Sequence, residues 1–192
     1  MSISHQTPDP SFGSRQIRRI NLFGGPGVSK STTAARIFAG MKTNGDNVEL
    51  VTEYVKNWAF IDRVPEKWDQ VYLFGKQLNR EYVPLAGGAN LIISDSPLLL
   101  SCFYANQLDN NDEITRNLID LALAFEAQYP SINIILRRGD RPYNPIGRFQ
   151  TLDEALKIDN NIKTFIRDYT EYLEIDYNIT DTHLINLVYS NK

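Results

Sequence analysis

Ile17-Arg-Arg-Ile-Asn-Leu-Phe23-Gly24-Gly25-Pro26-Gly27-Val28-Ser29-Lys30-Ser31-Thr32 is the stretch whose reading settles the architecture. A short β-like run passes straight into a loop of small residues, and a helical pattern from Lys30 to Lys42 follows at once. Small residues let backbone N–H groups curl around an anion, and the helix start adds the positive end of its dipole. The layout is that of a phosphate-binding loop, G-x-x-x-x-G-K-[ST], set between a strand and a helix. Ser29 stands where that pattern has its last glycine, and serine is small and suits a helix start. The loop predicts nucleotide binding through Gly24, Gly25, Gly27, Val28, Ser29, Lys30, Ser31 and Thr32. Lys30 is expected to reach the β- and γ-phosphates of ATP, and the Ser31 hydroxyl to join the Mg²⁺ shell.

Outward from this loop, β-like runs alternate with longer helical patterns. Val48–Thr52, Leu91–Ser94, Ile132–Leu136 and Tyr172–Ile175 read as strands. Helices are expected over Lys30–Lys42, ending at Asn44-Gly45, and over Glu66–Val83, broken near Pro84. Two more are expected over Asp112–Gln128 and over Thr151–Tyr169, which opens with the capping box Thr151-x-x-Glu154. The alternation predicts a three-layer α/β domain of P-loop NTPase type, with a parallel five-stranded sheet. A chain of 192 residues, 42% hydrophobic and 22% charged, suits one such domain over 17–192. Residues 1–16 carry almost no apolar side chain and are expected to form a flexible tail. A net charge of −3 argues against electrostatic coating of nucleic acid, and the single Cys102 excludes a disulfide framework. No apolar run approaches a membrane span, and no signal core opens the chain, so a soluble cytoplasmic protein is expected.

Chemistry should gather at the carboxyl ends of the strands. There the second strand continues into Glu53-Tyr-Val-Lys-Asn-Trp58, and the third into Asp95-Ser96-Pro97. An acidic residue ending a strand beside the phosphate loop can hold a Mg²⁺-bound water or orient the acceptor, so Asp95 is a metal and catalytic candidate. The fourth strand leads into Arg137, Arg138, Arg141 and Arg148 in a Gly/Pro-rich loop near 137–150. Gln70, Phe74 and Gln77 share one face of the helix after Pro65, with Arg80 adjoining. Trp68, Val71, Tyr72, Leu78 and Tyr82 form a neighbouring face expected to be core.

The Glu53–Trp58 segment resembles the Glu-Pro-Val-x-x-Trp segment of the deoxynucleoside kinases, with Tyr54 in place of the proline. That resemblance implies Glu53 as general base for a sugar hydroxyl and Trp58 as a wall of the nucleoside pocket. It also implies a glutamine, Gln70 or Gln77, reading the base edge. Asp95-Ser96 resembles the Asp-Arg or Glu-Arg-Ser motif of nucleoside and nucleoside-monophosphate kinases, although its arginine is absent. The arginine loop resembles the lid of these kinases, in which Arg137 and Arg141 would act on the transferring phosphoryl group and Arg138 and Arg148 would hold substrate. The implied activity is transfer of the γ-phosphoryl group of ATP to a (deoxy)nucleoside or its monophosphate, in nucleotide metabolism of bacterial or phage type. A homodimer is compatible with this reading. Two other readings stay open: a kinase acting on a hydroxyl of DNA or RNA, and a P-loop ATPase or switch whose only acceptor is water.

Overall fold

The computed structural model describes residues 16–108, 112–140, 142–144 and 150–190. The expected tail up to residue 15, together with Arg141, Gly147 and Arg148, lies outside them. The strands are β1 (Arg19–Phe23), β2 (Val48–Val51), β3 (Leu91–Ser94), β4 (Ser131–Arg137) and β5 (Leu173–Asp176). They form one parallel sheet in the order β2-β3-β1-β4-β5. The expected five-stranded α/β fold is therefore present.

Around the sheet lie α1 (Lys30–Thr43), α2 (Lys56–Ala59), α3 (Asp69–Ala86), α4 (Leu98–Leu108), α5 (Glu113–Gln128), α6 (Leu152–Arg167) and α7 (Asp181–Ser190). Strand pleating sends alternate side chains to opposite faces, and each face has its own core. On one, Ile20 and Leu22 pack with Ile37 and Met41 of α1 and with Leu184 and Val188 of α7. On the other, Phe23 and Ile92 pack with Phe74 of α3, Phe103 of α4, Leu118 of α5 and Ile162 of α6. Burying each such side chain contributes roughly 1.5–3 kcal/mol.

Three helices went unread in the sequence. α4 is apolar nearly all round, with Leu98, Leu99, Leu100, Cys102, Phe103 and Ala105 buried, so it has no polar stripe to betray a helical period. α2 is a single turn, and α7 is short. The capping boundaries were sharper. Asp112 accepts from Thr115 N at 3.0 Å at the head of α5, and the reciprocal Thr151–Glu154 box opens α6. α3 starts later than expected and runs through Pro84 to Ala86, where Gly88 at φ 96° ends it.

The same helix inverts the expected arrangement of its faces. Gln70, Phe74, Gln77 and Glu81 are buried, whereas Trp68, Val71, Tyr72 and Tyr82 are exposed, and of the face expected to be core Leu78 alone, half-buried, packs against the apolar core. Polar partners waiting inside explain the inversion. Arg19, buried on β1, donates to Glu81 at 2.9 Å and also pairs with Glu126 of α5. Ser94 donates to Glu81 at 3.0 Å, and Gln77 Nε2 donates to Ser94 at 3.5 Å. Register aligns Ser94, Asn21 and Asn133 in a polar row across the sheet, with Asn21 donating to Asn133 at 2.9 Å. Buried amides and carboxylates are tolerated where such partners satisfy them.

Strand order also places the functional crevice. After β1 the chain crosses toward β2 on the α1 face, and after β3 it crosses toward β4 on the opposite face. The loops leaving β1 and β3 diverge there, opening a crevice at the carboxyl ends of these strands.

Candidate functional site

The loop after β1 curls as its sequence requires. Gly27 has φ 79°, and a Cβ on it would lie 2.8 Å from the Tyr143 ring. Ser29 has φ 77° and ψ 23°, the left-handed conformation that the missing glycine would adopt without strain. It occupies the N-cap of α1 yet makes no side-chain cap hydrogen bond, so its backbone conformation, rather than a capping hydroxyl, is what this position supplies. Serine tolerates that conformation at a cost that a β-branched residue would raise. Ser29→Val is expected to destabilise the fold by about 1–2 kcal/mol, lowering Tm by roughly 2–8 °C, and to weaken ATP binding. Calorimetric melting and nucleotide titration would check both.

Lys30 opens α1, and its ammonium donates to Gly24 O at 2.6 Å and Gly25 O at 3.0 Å. Burial pulls its proton affinity down, while the negative charges of Glu53, Asp95 and Asp159 push it back up. Ser31 and Thr32 are exposed in the first turn. Asp95, at the end of β3, is buried, and its Oδ1 has no hydrogen-bond partner among the described residues. A buried carboxylate oxygen without a partner, acting on Lys30, whose chain neighbour Ser31 is exposed, suits a hard divalent cation with its waters. Ser31 and Asp95 would hold Mg²⁺ on these grounds.

Glu53 follows β2. Burial raises its proton affinity most, Lys30 opposes that rise, and Asp95 adds to it as a like charge. Lys30, Glu53 and Asp95 thus come from three neighbouring strands and act on one another.

The arginines divide differently from expectation. Arg137, expected at the phosphoryl group, is held by a bidentate pair with Asp176 on β5, with both contacts at 2.9 Å. The described arginine at the phosphate loop is Arg138. It donates to Pro26 O and Asp159 Oδ2, each at 2.6 Å. Asp159 of α6 also accepts from Gly25 N at 2.7 Å, so one carboxylate binds both the loop and its arginine. Tyr143 lies against the same loop and donates to Gln150 O at 2.7 Å. The sequence reading missed Asp159, which reaches the loop from a helix 134 positions downstream of Gly25. It also missed Tyr104 of α4, whose phenol is pushed up by burial and by the charges of Glu53 and Asp159.

Trp58 is buried, stacked 6.1 Å from Tyr72 and covered by the Arg63 guanidinium 3.6 Å above its ring. Arg80 donates to Thr52 O at 3.0 Å and lies 5.0 Å from the Tyr54 ring. Gln70 and Gln77 are buried under α3, with Gln77 engaged by Ser94. These groups line the β2–α3 side of the domain. The loop, Lys30, Glu53, Asp95, Arg138 and Asp159 form its charged centre. Among the described residues no helix is long and apolar enough to cross a membrane.

Comparison with known proteins bears on the fold and the family. A solved structure described as NadR protein in complex with NR superposes with a TM-score of 0.67 at 13% identity. The match covers 91% of this chain and 51% of the NadR chain, so this chain spans about half the length of that protein. No curated protein matches the sequence. The family model described as AAA domain matches residues 19–182, a span that runs from β1 into α7 and includes the phosphate loop. The chain belongs to this AAA-domain family of P-loop NTPases, whose nucleotide-binding loop it carries at Gly24–Thr32.

Proposed function

We propose that the protein is an ATP-dependent phosphotransferase that passes the γ-phosphoryl group to a small acceptor, a (deoxy)nucleoside or its monophosphate. The observation that carries this reading is Glu53, a carboxylate of raised basicity placed in the field of Lys30 and Asp95 beside the loop. A P-loop ATPase needs only a positioned water. A carboxylate prepared to take a proton next to the phosphate loop suits an alcohol acceptor.

In this reading, backbone N–H groups of the loop and the start of α1 hold the phosphate chain, and the Lys30 ammonium neutralises negative charge on the β- and γ-phosphate oxygens. When bound at Ser31 and Asp95, Mg²⁺ supplies positive charge to the phosphate oxygens. Glu53 accepts the proton of the acceptor hydroxyl as its oxygen bonds to the γ-phosphorus, and the bond from that phosphorus to the bridging oxygen of ADP breaks. Arg138, held by Asp159 and Pro26 O, stands at the loop to meet charge on the transferring group. With a monophosphate acceptor the phosphate attacks instead, and Glu53 then positions rather than deprotonates. The small-molecule class draws support from the NadR structure, which holds NR. Arg137 favours it over a polymer acceptor, because its guanidinium is committed to Asp176 of this chain.

Incubation with γ-labelled ATP, Mg²⁺ and a panel of nucleosides, monophosphates and oligonucleotides is expected to label a nucleoside or monophosphate. Label on the oligonucleotides alone would assign a polynucleotide kinase. Free phosphate as the only product would assign an ATPase.

A further inference from the structure

The phosphate-loop pattern leaves its second position open, yet this chain has a glycine there, Gly25. Its backbone does not require one, because Gly25 lies outside the positive-φ range that Gly24 and Gly27 occupy. Helix α6 does require one. A Cβ on Gly25 would lie 2.5 Å from Asp159 Oδ1 and 3.0 Å from Ala155 O, both of that helix. Asp159 also breaks the pattern of its own helix. It falls between Ala155 and Ile162 on the stripe that α6 turns inward, where the neighbouring positions are apolar and buried. An acidic residue on an inward stripe meets a glycine whose missing side chain lets it close on the loop.

The contact completes a ring of hydrogen bonds. Gly25 N–H donates to Asp159 Oδ1 at 2.7 Å, and Arg138 Nε donates to Asp159 Oδ2 at 2.6 Å. Arg138 Nη2 returns to Pro26 O at 2.6 Å, and the Gly25–Pro26 backbone closes the ring. Lys30 is attached to the same backbone, its ammonium 3.0 Å from Gly25 O. Arg138 Nη1 is the nitrogen left over, and it lies 3.4 Å from where a Cβ of Gly27 would be, on the loop itself. Residue type matters here. A carboxylate offers one acceptor oxygen to the amide and a second to the guanidinium, whereas asparagine offers only one. A negative group beside the loop opposes an incoming phosphate chain. Nucleotide binding therefore does not account for Asp159, and the ordering of two cations does.

We propose that Asp159 is a positioning residue for phosphoryl transfer, which through the Gly25–Pro26 backbone fixes the Lys30 ammonium and Arg138 Nη1 on one phosphoryl group. The proposal rests on the reaction assigned above and adds to it a residue that acts only through others. Cations held in place beforehand need no reorganisation as charge spreads over the phosphoryl oxygens. Arginine has many rotamers, and a guanidinium held at one point instead of two would spend less time in the productive one. The anchor itself is firm, because Ile162 and the half-buried Ile158 on either side of Asp159 seat α6 against the apolar core.

Steady-state kinetics of the full chain tests it, with circular dichroism and Tm recorded for every variant. Asp159→Asn keeps an oxygen for Gly25 N–H and loses the bond from Arg138 Nε. It is expected to lower kcat by about 10–10²-fold. Its KM for ATP should stay level or fall, because a charge that opposed the phosphates is gone. A merely structural loosening of the loop would raise that KM instead. Arg138→Lys keeps the cation but not the fork that spans Asp159 and Pro26 O, so it should lose kcat to a similar degree. In an Arg138→Ala background, Asp159→Asn should add no more than about a twofold loss, since it acts through the arginine. Fully additive losses in that double variant would overturn the proposal. So would wild-type kcat in Asp159→Asn or, with Asp159 intact, in Arg138→Lys. Should water prove the only acceptor, the same series is read on phosphate release, so a wrong acceptor and a wrong role for Asp159 give different results.

Discussion

Replacing Lys30 by alanine is expected to lower phosphoryl transfer by about 10²–10³-fold or more in kcat/KM, while the fold stands. The side chain begins α1 next to the loop, and its donors lie on Gly24 O and Gly25 O, within reach of where phosphate charge would develop. One preorganised cationic donor in a water-poor site commonly contributes a few kcal/mol to the transition state. Its structural contribution is small by comparison. It joins neither apolar core, and alanine is a better helix former at that position. The variant should therefore keep its circular dichroism and melt within a few degrees of the wild type, while ATP turnover collapses. Near-normal turnover in a folded Lys30→Ala protein would remove the phosphate-loop assignment, and with it the proposed reaction. Arg138→Ala would not substitute for this test, because its guanidinium also ties α6 to the loop through Asp159.

What could be read in advance follows from how local each signal is. The strand, loop and helix around Lys30 are contiguous, so turn chemistry and periodicity report them directly. The strand ends that carry Glu53 and Asp95 are legible for the same reason, because each follows its own apolar run without a break. Asp159 is different. It lies mid-helix on α6 with no motif around it, and only the folded chain brings it to Gly25 and Arg138. The faces of α3 misled because burial there is decided by partners remote in sequence. Glu81 and Gln77 go inside to meet Arg19 and Ser94, leaving Tyr82 and Val71 outside. Amphipathicity says that a helix has two faces, and it says which one is apolar. It does not say which polar partners wait inside, and here those partners decide which face turns inward.

Glu53→Gln is expected to lower kcat by about 10²–10⁴-fold with little change in the KM for ATP. Glutamine keeps the shape and a hydrogen-bonding oxygen but cannot take a proton, and the residue lies beyond the loop that binds ATP. The pH profile carries a second, independent sign. Burial raises the proton affinity of Glu53 above the ordinary glutamate value, and Asp95 raises it further as a like charge. A general base works only when ionised, so wild-type kcat/KM should climb with pH through a pKa above the usual carboxylate range. Glu53→Gln should lose that acid limb. Asp95→Asn removes the negative neighbour, which favours the ionised form, so the limb should move to lower pH. Because Asp95 also suits Mg²⁺, that variant should be assayed with Mg²⁺ raised to saturation, where the shift in the limb separates from weakened metal binding. A nearly silent Glu53→Gln beside a crippled Asp95→Asn under saturating Mg²⁺ would move the base to Asp95. It would leave Glu53 as a group that only tunes the charge of Lys30.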